Sequence, residues 1–209
     1  MRTLEHRRQA ADQMVDAARA FYKHGWLMGT SGNLSVRDPG ADTFLITASG
    51  KDKGRLTTTD FLVCDPDAHP IEPTPHRPSA ETLVHGVIYR AIAEAGAIYH
   101  VHQVHAALCS DRDWDQGKTV FEGLEMIKGL GVWQRDARIG VPIVENHYDI
   151  PDLAAAIGEL LAGDDFDPRV PGVNIRNHGI YAWGKDADEA KRHIESFGYL
   201  FHYSWERGL

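Results

Sequence analysis

The chain has 209 residues, 43% hydrophobic and 25% charged, which fits a single domain over residues 1–209 with a sizeable core. Its formal net charge of −8, with no local basic patch, argues against a nucleic-acid partner, and no apolar stretch is long enough to span a membrane. Cys64 and Cys109 form no Cys-x-x-Cys motif, so we expect a reducing, cytoplasmic location.

The first half of the chain is predicted to combine two helices with short strands. Apolar residues at helical spacing predict a helix over residues 4–24, and β-branched or aromatic runs predict strands over residues 44–48 and 61–64. A second helix is predicted over residues 79–96. Ser79 fits its N-cap, which places Glu81 in the first turn.

The second half is predicted to alternate strands with helices. The predicted strands cover residues 98–104 and 139–145, and a strand–turn–strand unit covers residues 173–183. The predicted helices cover residues 121–129, 151–162 and 186–207.

Two of the 12 histidines, His100 and His102, lie in the predicted strand over residues 98–104. Because side chains alternate faces along a strand, both imidazoles point the same way and form half of a metal site. A catalytic zinc site needs a third protein ligand, and His178 is the best candidate. His105 would face away from this pair, so we leave it out. The alternative is a pair of core histidines satisfied by hydrogen bonds.

Two loops of small polar residues, 29–35 and 49–54, each lie at the end of a predicted strand. Small residues let backbone N–H groups approach a ligand closely, so the loops together indicate an anion pocket. The alternative is two ordinary turns, with Lys51 and Lys53 as solvated surface charges.

Two carboxylates are candidates for proton transfer. Glu81 lies where a helix dipole favours a negative charge, so its role is either to stabilise the helix or to face the metal. Glu125 and Lys128 share a helix face at i, i+3 spacing, which predicts either a surface ion pair or a second carboxylate near the metal.

Five short motifs together resemble the class II (zinc-dependent) aldolase family of fuculose-phosphate and ribulose-phosphate enzymes, in order and over essentially the whole chain. These motifs are Gly29-Thr30-Ser31-Gly32-Asn33-Leu34-Ser35, Ser49-Gly50-Lys51, Pro78-Ser79-Ala80-Glu81, His100-Val101-His102 and Asn177-His178-Gly179. The resemblance implies an α/β fold, a three-layer α/β/α sandwich around a largely antiparallel sheet. It also implies one zinc ion per subunit on the three histidines, a small phosphosugar substrate and a homotetramer with sites near subunit interfaces.

The resemblance also assigns roles to single residues. The residues implied to bind the substrate phosphate are Ser31, Gly32, Asn33, Ser49, Gly50, Lys51 and Ser79. The sugar-phosphate aldolases carry Ser-Ser-Glu where this chain has Ser79-Ala80-Glu81. Main-chain donors, Lys51 or Lys53 would compensate for the missing hydroxyl.

Two segments resemble a dehydratase branch of the family, which acts on a ketose 1-phosphate with a methylthio group. They are Glu125-Met126-Ile127-Lys128-Gly129 and Gly179-Ile180-Tyr181-Ala182-Trp183-Gly184. For a dehydratase we expect Glu125 as acid/base, tuned by Lys128, with Glu81 as the second candidate. An aldolase or 4-epimerase acting on another ketose phosphate would use the same zinc site. A non-catalytic metal-binding protein would instead need a closed, four-ligand site.

Overall fold

The computed structural model describes residues 2–208 and contains a sheet of eight strands. The strands are β1 (Asn33–Arg37), β2 (Phe44–Thr47), β3 (Phe61–Cys64), β4 (Ala97–Val101), β5 (Lys118–Glu122), β6 (Arg138–Val144), β7 (Gly172–Ile175) and β8 (Gly179–Gly184). Their order in the sheet is β3-β2-β1-β4-β8-β7-β6-β5. Between residues 2 and 208, only β6 and β7 pair in parallel.

Five α-helices cover the two faces of this sheet. They are α1 (Arg2–Lys23), α2 (Thr82–Ala91), α3 (Val104–Arg112), α4 (Ile150–Ala162) and α5 (Ala187–Glu206). Helices α1, α3 and α5 enclose one hydrophobic core against the sheet, and α2 and α4 enclose another on the opposite face. The predicted three-layer α/β/α sandwich around a largely antiparallel sheet is therefore confirmed.

Strand β4 shows how alternation divides the two cores. Tyr99 and Val101 pack into the core under α1 and α5, whereas Ile98 packs into the core under α2 and α4. His100 is two residues from Ile98 and so points toward the α2 side. The strand therefore delivers its buried imidazole between the sheet and α2.

Most predicted elements are present, and the segment after His100 is an exception. The predicted strand over residues 98–104 ends at Val101, and α3 begins at Val104. The backbone N–H of His102 donates to the carbonyl of Trp26 at 2.9 Å, so the chain leaves the ladder there. Helix α3 was not predicted.

Two further boundaries differ from the predictions. Helix α2 begins at Thr82, with Glu81 at its N-cap and without a side-chain cap, because Ser79 lies in a preceding turn whose carbonyl accepts from the N–H of Thr82. The predicted helix over residues 121–129 is instead the end of β5 followed by a 3-10 helix, Glu125–Leu130. Antiparallel pairing with β6 draws Phe121 and Glu122 into the sheet.

Two observations concern the described residues as a whole. Between residues 2 and 208, no helix is long and apolar enough to cross a membrane. Both cysteines, Cys64 and Cys109, are buried and free. The expectation of one domain over residues 1–209 stays a prediction.

Candidate metal centre

Three histidines that are far apart in sequence converge at one end of the central strands. The Nε2 atoms of His100 and His102 lie 3.0 Å apart, and those of His102 and His178 also lie 3.0 Å apart. Zinc–imidazole bonds of about 2.0–2.1 Å in a tetrahedron place ligand nitrogens about 3.3–3.4 Å apart. The three nitrogens therefore fit around one such ion with a small outward shift.

The buried environment of His100 fixes which of its nitrogens faces the cluster. Its Nδ1 lies 3.1 Å from the carbonyl oxygen of Ile180, and its ring stacks on Tyr181 at 4.0 Å between centroids. Because a carbonyl only accepts hydrogen bonds, Nδ1 carries the ring proton and donates it. Nε2 is therefore unprotonated, and its lone pair is free to bind a metal ion. A backbone carbonyl that accepts from the other ring nitrogen is the usual way in which a metal-ligating histidine is oriented.

Burial keeps the three imidazoles in the neutral form that binds metal. It lowers the pKa of His100 well below its usual value, and the neighbouring imidazoles lower it further. Burial is also the main cause that lowers the pKa of His102 to about 4 and that lowers the pKa of His178. Because a ligating imidazole must be deprotonated, the cluster is ready for a cation at neutral pH.

Glu81 supplies the carboxylate of this cluster. Its Oε1 lies 3.3 Å from Nε2 of His178 and 3.7 Å from Nε2 of His100. The four residues place one ligand atom each within 4.8 Å of one another. The carboxylate therefore lies where it either completes a fourth coordination position or exchanges a proton with a molecule bound there.

A chain of hydrogen bonds lies behind Glu81 and runs into the core. Its Oε2 accepts from Nδ2 of Asn33 at 2.7 Å, and Oδ1 of Asn33 accepts from Nε2 of His85. Nδ1 of His85 accepts from the hydroxyl of Ser35 at 2.7 Å, which lies 2.8 Å from the hydroxyl of Tyr89. Burial lowers the pKa of His85 to about 3, so its imidazole is neutral at neutral pH. This series of neutral hydrogen-bonded groups holds the carboxylate of Glu81 in place.

Helix α3 supports the turn that carries His178. Asn177 has a φ of +54°, a left-handed conformation that non-glycine residues rarely adopt. Its backbone N–H donates to the hydroxyl of Ser110 at 2.9 Å, and its Nδ2 donates to Asp111 at 3.1 Å. Asp111 also accepts from Arg176 at 3.0 Å. These contacts hold the otherwise unfavourable turn.

Two glycines allow the backbones around the histidines to approach closely. A Cβ at Gly179 would lie 2.3 Å from the carbonyl oxygen of Val101 and 3.1 Å from Cα of His102. Gly32 has a φ of +71°, and a Cβ there would lie 2.6 Å from the carbonyl oxygen of His100. Any other residue would force these strands apart and separate the ligands.

A cavity of about 160 Å³ adjoins Asn33, the residue that contacts Glu81, and gathers most of the predicted phosphate-binding residues. Those that line it are Gly32, Asn33, Ser49, Gly50 and Ser79. Ser31 lies at the turn before it, where its hydroxyl donates to the carbonyl of Met28 at 2.8 Å. Nζ of Lys51 pairs with Asp60 at 2.8 Å instead of lining the cavity.

Lys53 lines this cavity, although no feature of the sequence favoured it over Lys51. It is 2% exposed, and its Nζ donates to the carbonyls of Thr30 and Lys51 at 3.0 and 3.1 Å. Burial lowers its pKa to about 8, against the opposing effect of the Glu81 charge. An ammonium has three N–H donors, so these two carbonyls leave one donor for an anion.

Glu125 and Lys128 lie elsewhere on the chain. Glu125 begins the 3-10 helix Glu125–Leu130, its side chain is 84% exposed, and its Oε1 pairs with Nζ of Lys128 at 2.7 Å. It is not among the groups gathered around the three histidines. Within residues 2–208 of a single chain, Glu81 lies at the histidine cluster and Glu125 does not.

The family described as "Class II Aldolase and Adducin N-terminal domain" matches residues 12–205, and the chain belongs to this family. Among solved structures, an L-fuculose 1-phosphate aldolase superposes with a TM-score of 0.77 at 20% identity, covering 96% of this chain and 86% of that one. The L-fuculose-1-phosphate aldolase of Thermus thermophilus superposes with a TM-score of 0.72 at 25% identity, covering 97% and 94%.

Two relatives that are more similar in sequence share one name. The methylthioribulose-1-phosphate dehydratase of Persephonella marina is 45% identical over 202 residues, covering 95% of this chain and 90% of that protein. The methylthioribulose-1-phosphate dehydratase of Bacillus subtilis is 44% identical over 194 residues, covering 91% and 90%. The chain thus spans nearly the full length of both relatives.

Proposed function

We propose that this protein is a methylthioribulose-1-phosphate dehydratase, a carbon–oxygen lyase of methionine salvage. It would convert 5-methylthioribulose 1-phosphate into 5-methylthio-2,3-diketopentyl 1-phosphate and water. The observation that carries the proposal is the convergence of three neutral imidazoles and Glu81 beside a polar cavity containing a buried lysine. Such a centre would support a dehydratase, an aldolase or an epimerase. The relatives of that name, which are similar over nearly the whole chain, favour the dehydratase.

His100, His102 and His178 would hold one Zn²⁺ ion per subunit through their Nε2 atoms, since those of His100 and His178 each lie 3.0 Å from that of His102. When bound, zinc supplies Lewis-acid stabilisation of the negative charge that develops on the C2 and C3 oxygens of the substrate. Three protein nitrogens leave an open position, which is the pattern of catalytic zinc sites.

The phosphate would bind in the cavity lined by Ser49, Gly50 and Ser79. The hydroxyls and backbone N–H groups there are donors, and Lys53 adds the positive charge. Lys51 would not contribute directly, because Asp60 already neutralises it. In this arrangement the side chain of Asn33 positions Glu81. Asn33 would therefore contact the phosphate only through its backbone.

The reaction removes the proton at C3, expels the C4 hydroxyl as water and leaves an enol that tautomerises to the 2,3-diketone. Glu81 lies beside the imidazole cluster, so it would take or return one of these protons while Asn33 fixes its orientation. Positioned proton transfer of this kind contributes about 10²–10⁴-fold. Glu125, tuned by Lys128, was the first candidate from the sequence and becomes the alternative in this proposal, because it would have to reach the centre of another copy of the chain.

The experiment incubates the zinc-loaded protein with 5-methylthioribulose 1-phosphate and follows the products by mass spectrometry. A product lighter than the substrate by one water is expected. Two smaller carbonyl fragments would instead show an aldolase, and an isomer of unchanged mass would show an epimerase. Unchanged substrate, with zinc confirmed at the site, would refute the proposed activity.

Glu81→Gln and Glu125→Gln are the matched pair that separates the two carboxylates, because each change removes a charge while keeping the shape. We expect Glu81→Gln to lower kcat by at least about 100-fold, within the usual range of general acid–base catalysis. A similar loss in Glu125→Gln alone would move the acid/base role to Glu125. Losses below about tenfold in both would refute both assignments.

Assembly and location are further parts of the proposal. We propose a homotetramer, supported by large apolar side chains left exposed on the single chain, among them Trp133 at 71% and Tyr148 at 99%. Light scattering of the purified protein would test the subunit number. We also propose a cytoplasmic location, consistent with two buried, free cysteines.

A further inference from the structure

A second group of metal-ligating side chains lies on the helical surface, separate from the centre described above. It consists of His105, in the first turn of α3, with His202 and Glu206, in the last turns of α5. One ligand atom from each residue lies within 4.8 Å of the others. We name these three residues the α3–α5 cluster.

We propose that the α3–α5 cluster binds a divalent transition-metal ion such as Zn²⁺, Co²⁺ or Ni²⁺. Two imidazoles and one carboxylate suit these ions, whereas Ca²⁺ and Mg²⁺ prefer a set of oxygen ligands. The inference is independent of the proposed activity, because none of the three residues belongs to the catalytic centre.

The arrangement of the rings supports the proposal. The imidazoles of His105 and His202 stack at 4.2 Å between centroids with an interplanar angle of 13°. Two protonated rings in this position would repel each other. Burial and the neighbouring His202 lower the pKa of His105, so this imidazole is available as a neutral ligand.

Glu206 extends this pair to a three-ligand group. It lies one helical turn after His202, and its Oε1 is 3.9 Å from Nε2 of His202, which is too long for a hydrogen bond. His202 and Glu206 have side chains that are 59% and 67% exposed, so they are able to rotate toward a shared ion. An ion would shorten these separations and leave a position for water.

The seam between α3 and α5 is already fixed by other contacts. Nε2 of Gln103 donates to the carbonyl of Ile194 at 3.0 Å, and Arg112 donates to the carbonyl of Ser204 at 3.3 Å. A Cβ at Gly198 would lie 3.0 Å from Nε2 of Gln103, so the helices are in close contact there. The backbone therefore holds the ligands near each other before an ion arrives, and an ion would further tie the first turn of α3 to α5.

The test is a calorimetric titration of the metal-free, full-length protein with Zn²⁺. We expect two classes of site, a tight one at the centre around His178 and a weaker one at the α3–α5 cluster. His105→Gln and His202→Gln should each weaken the second class at least tenfold and leave the first unchanged. His178→Ala should have the opposite effect.

His69→Gln is the matched control, because exposed His69 pairs with Asp65 at i, i+4 spacing but belongs to no three-ligand group within residues 2–208. It should change neither class. Circular dichroism checks that each variant folds, and Glu206→Gln provides a third ligand change at an exposed position. A single zinc class in the native protein, or a second class that survives all three ligand changes, would refute the α3–α5 site.

Discussion

Two histidine clusters in this protein use the same side chains in different settings. In the central one, the Nε2 atoms of His100 and His178 each lie 3.0 Å from that of His102. The α3–α5 cluster joins His105 and His202 as stacked rings on helices, at 4.2 Å between centroids. The first is held by the sheet and its turns, and the second by two surface helices.

The two clusters differ in the contacts that hold their side chains in place. The carbonyl of Ile180 fixes the tautomer of His100, and Asn33 orients Glu81. Between residues 2 and 208, no hydrogen bond fixes the rings of His105 and His202 in the same way. Preorganised ligands favour tight binding and chemistry, whereas adaptable ones favour weaker, exchangeable binding.

Removing one histidine from each cluster gives the largest expected contrast. His178→Ala should abolish tight zinc binding and lower kcat/KM about 1,000-fold or more, because the metal supplies several kcal/mol and each 1.36 kcal/mol is about tenfold. His202→Ala should leave kcat/KM within about twofold of the native value. Steady-state kinetics and metal analysis of both variants make the comparison. Equal losses of kcat/KM in the two variants would contradict the proposed difference between the clusters.

The polar cavity beside Asn33 is a second feature of the central region. Lys53→Met should raise KM for the phosphorylated substrate about tenfold to 100-fold, since a hydrogen bond to a charged group contributes about 1.5–3 kcal/mol. Lys51→Met should raise KM less than about threefold, because Lys51 pairs with Asp60. If the larger effect followed Lys51→Met, the phosphate would bind outside the cavity.

Loss of the Asp111 contacts that hold the turn before His178 is expected to have an effect similar to or smaller than that of Lys53→Met. Asp111→Ala removes the acceptor shared by Arg176 and Asn177. It should weaken zinc binding at the centre about tenfold to 100-fold, as is usual when a residue that orients a metal ligand is lost. The absorption spectrum of the Co²⁺-substituted protein should change with the ligand geometry. Asp115→Ala, a nearby surface change, is the control, and identical affinities in the two variants would contradict a positioning role.

The smallest expected effect is the stabilisation by an ion at the α3–α5 cluster. In the His178→Ala protein, Zn²⁺ at ten times its Kd should add about 1.4 kcal/mol to the free energy of unfolding. For a chain of this length, that raises Tm by about 3–5 °C. Adding His202→Gln should remove the shift, and a shift that persists would mean that zinc binds elsewhere.

Several features follow from the sequence because they depend on local spacing. Strand alternation predicted that His100 and His102 point the same way. Their Nε2 atoms do lie 3.0 Å apart, although β4 ends at Val101 and His102 follows the strand. The apolar periodicity of the first and last helices predicted α1 and α5 within a few residues. The ordered motifs identified the family and, through it, the three-layer sandwich.

The tertiary structure decided which polar side chains meet. Asn33 lies opposite His100 in the β1–β4 ladder, so its side chain is able to hold Glu81 beside the histidines. Glu125 lies on the surface. Lys53 lines the cavity and Lys51 does not, although both lie in the same polar loop. These outcomes depend on strand pairing and burial over long sequence separations, and local residue patterns do not encode such distances.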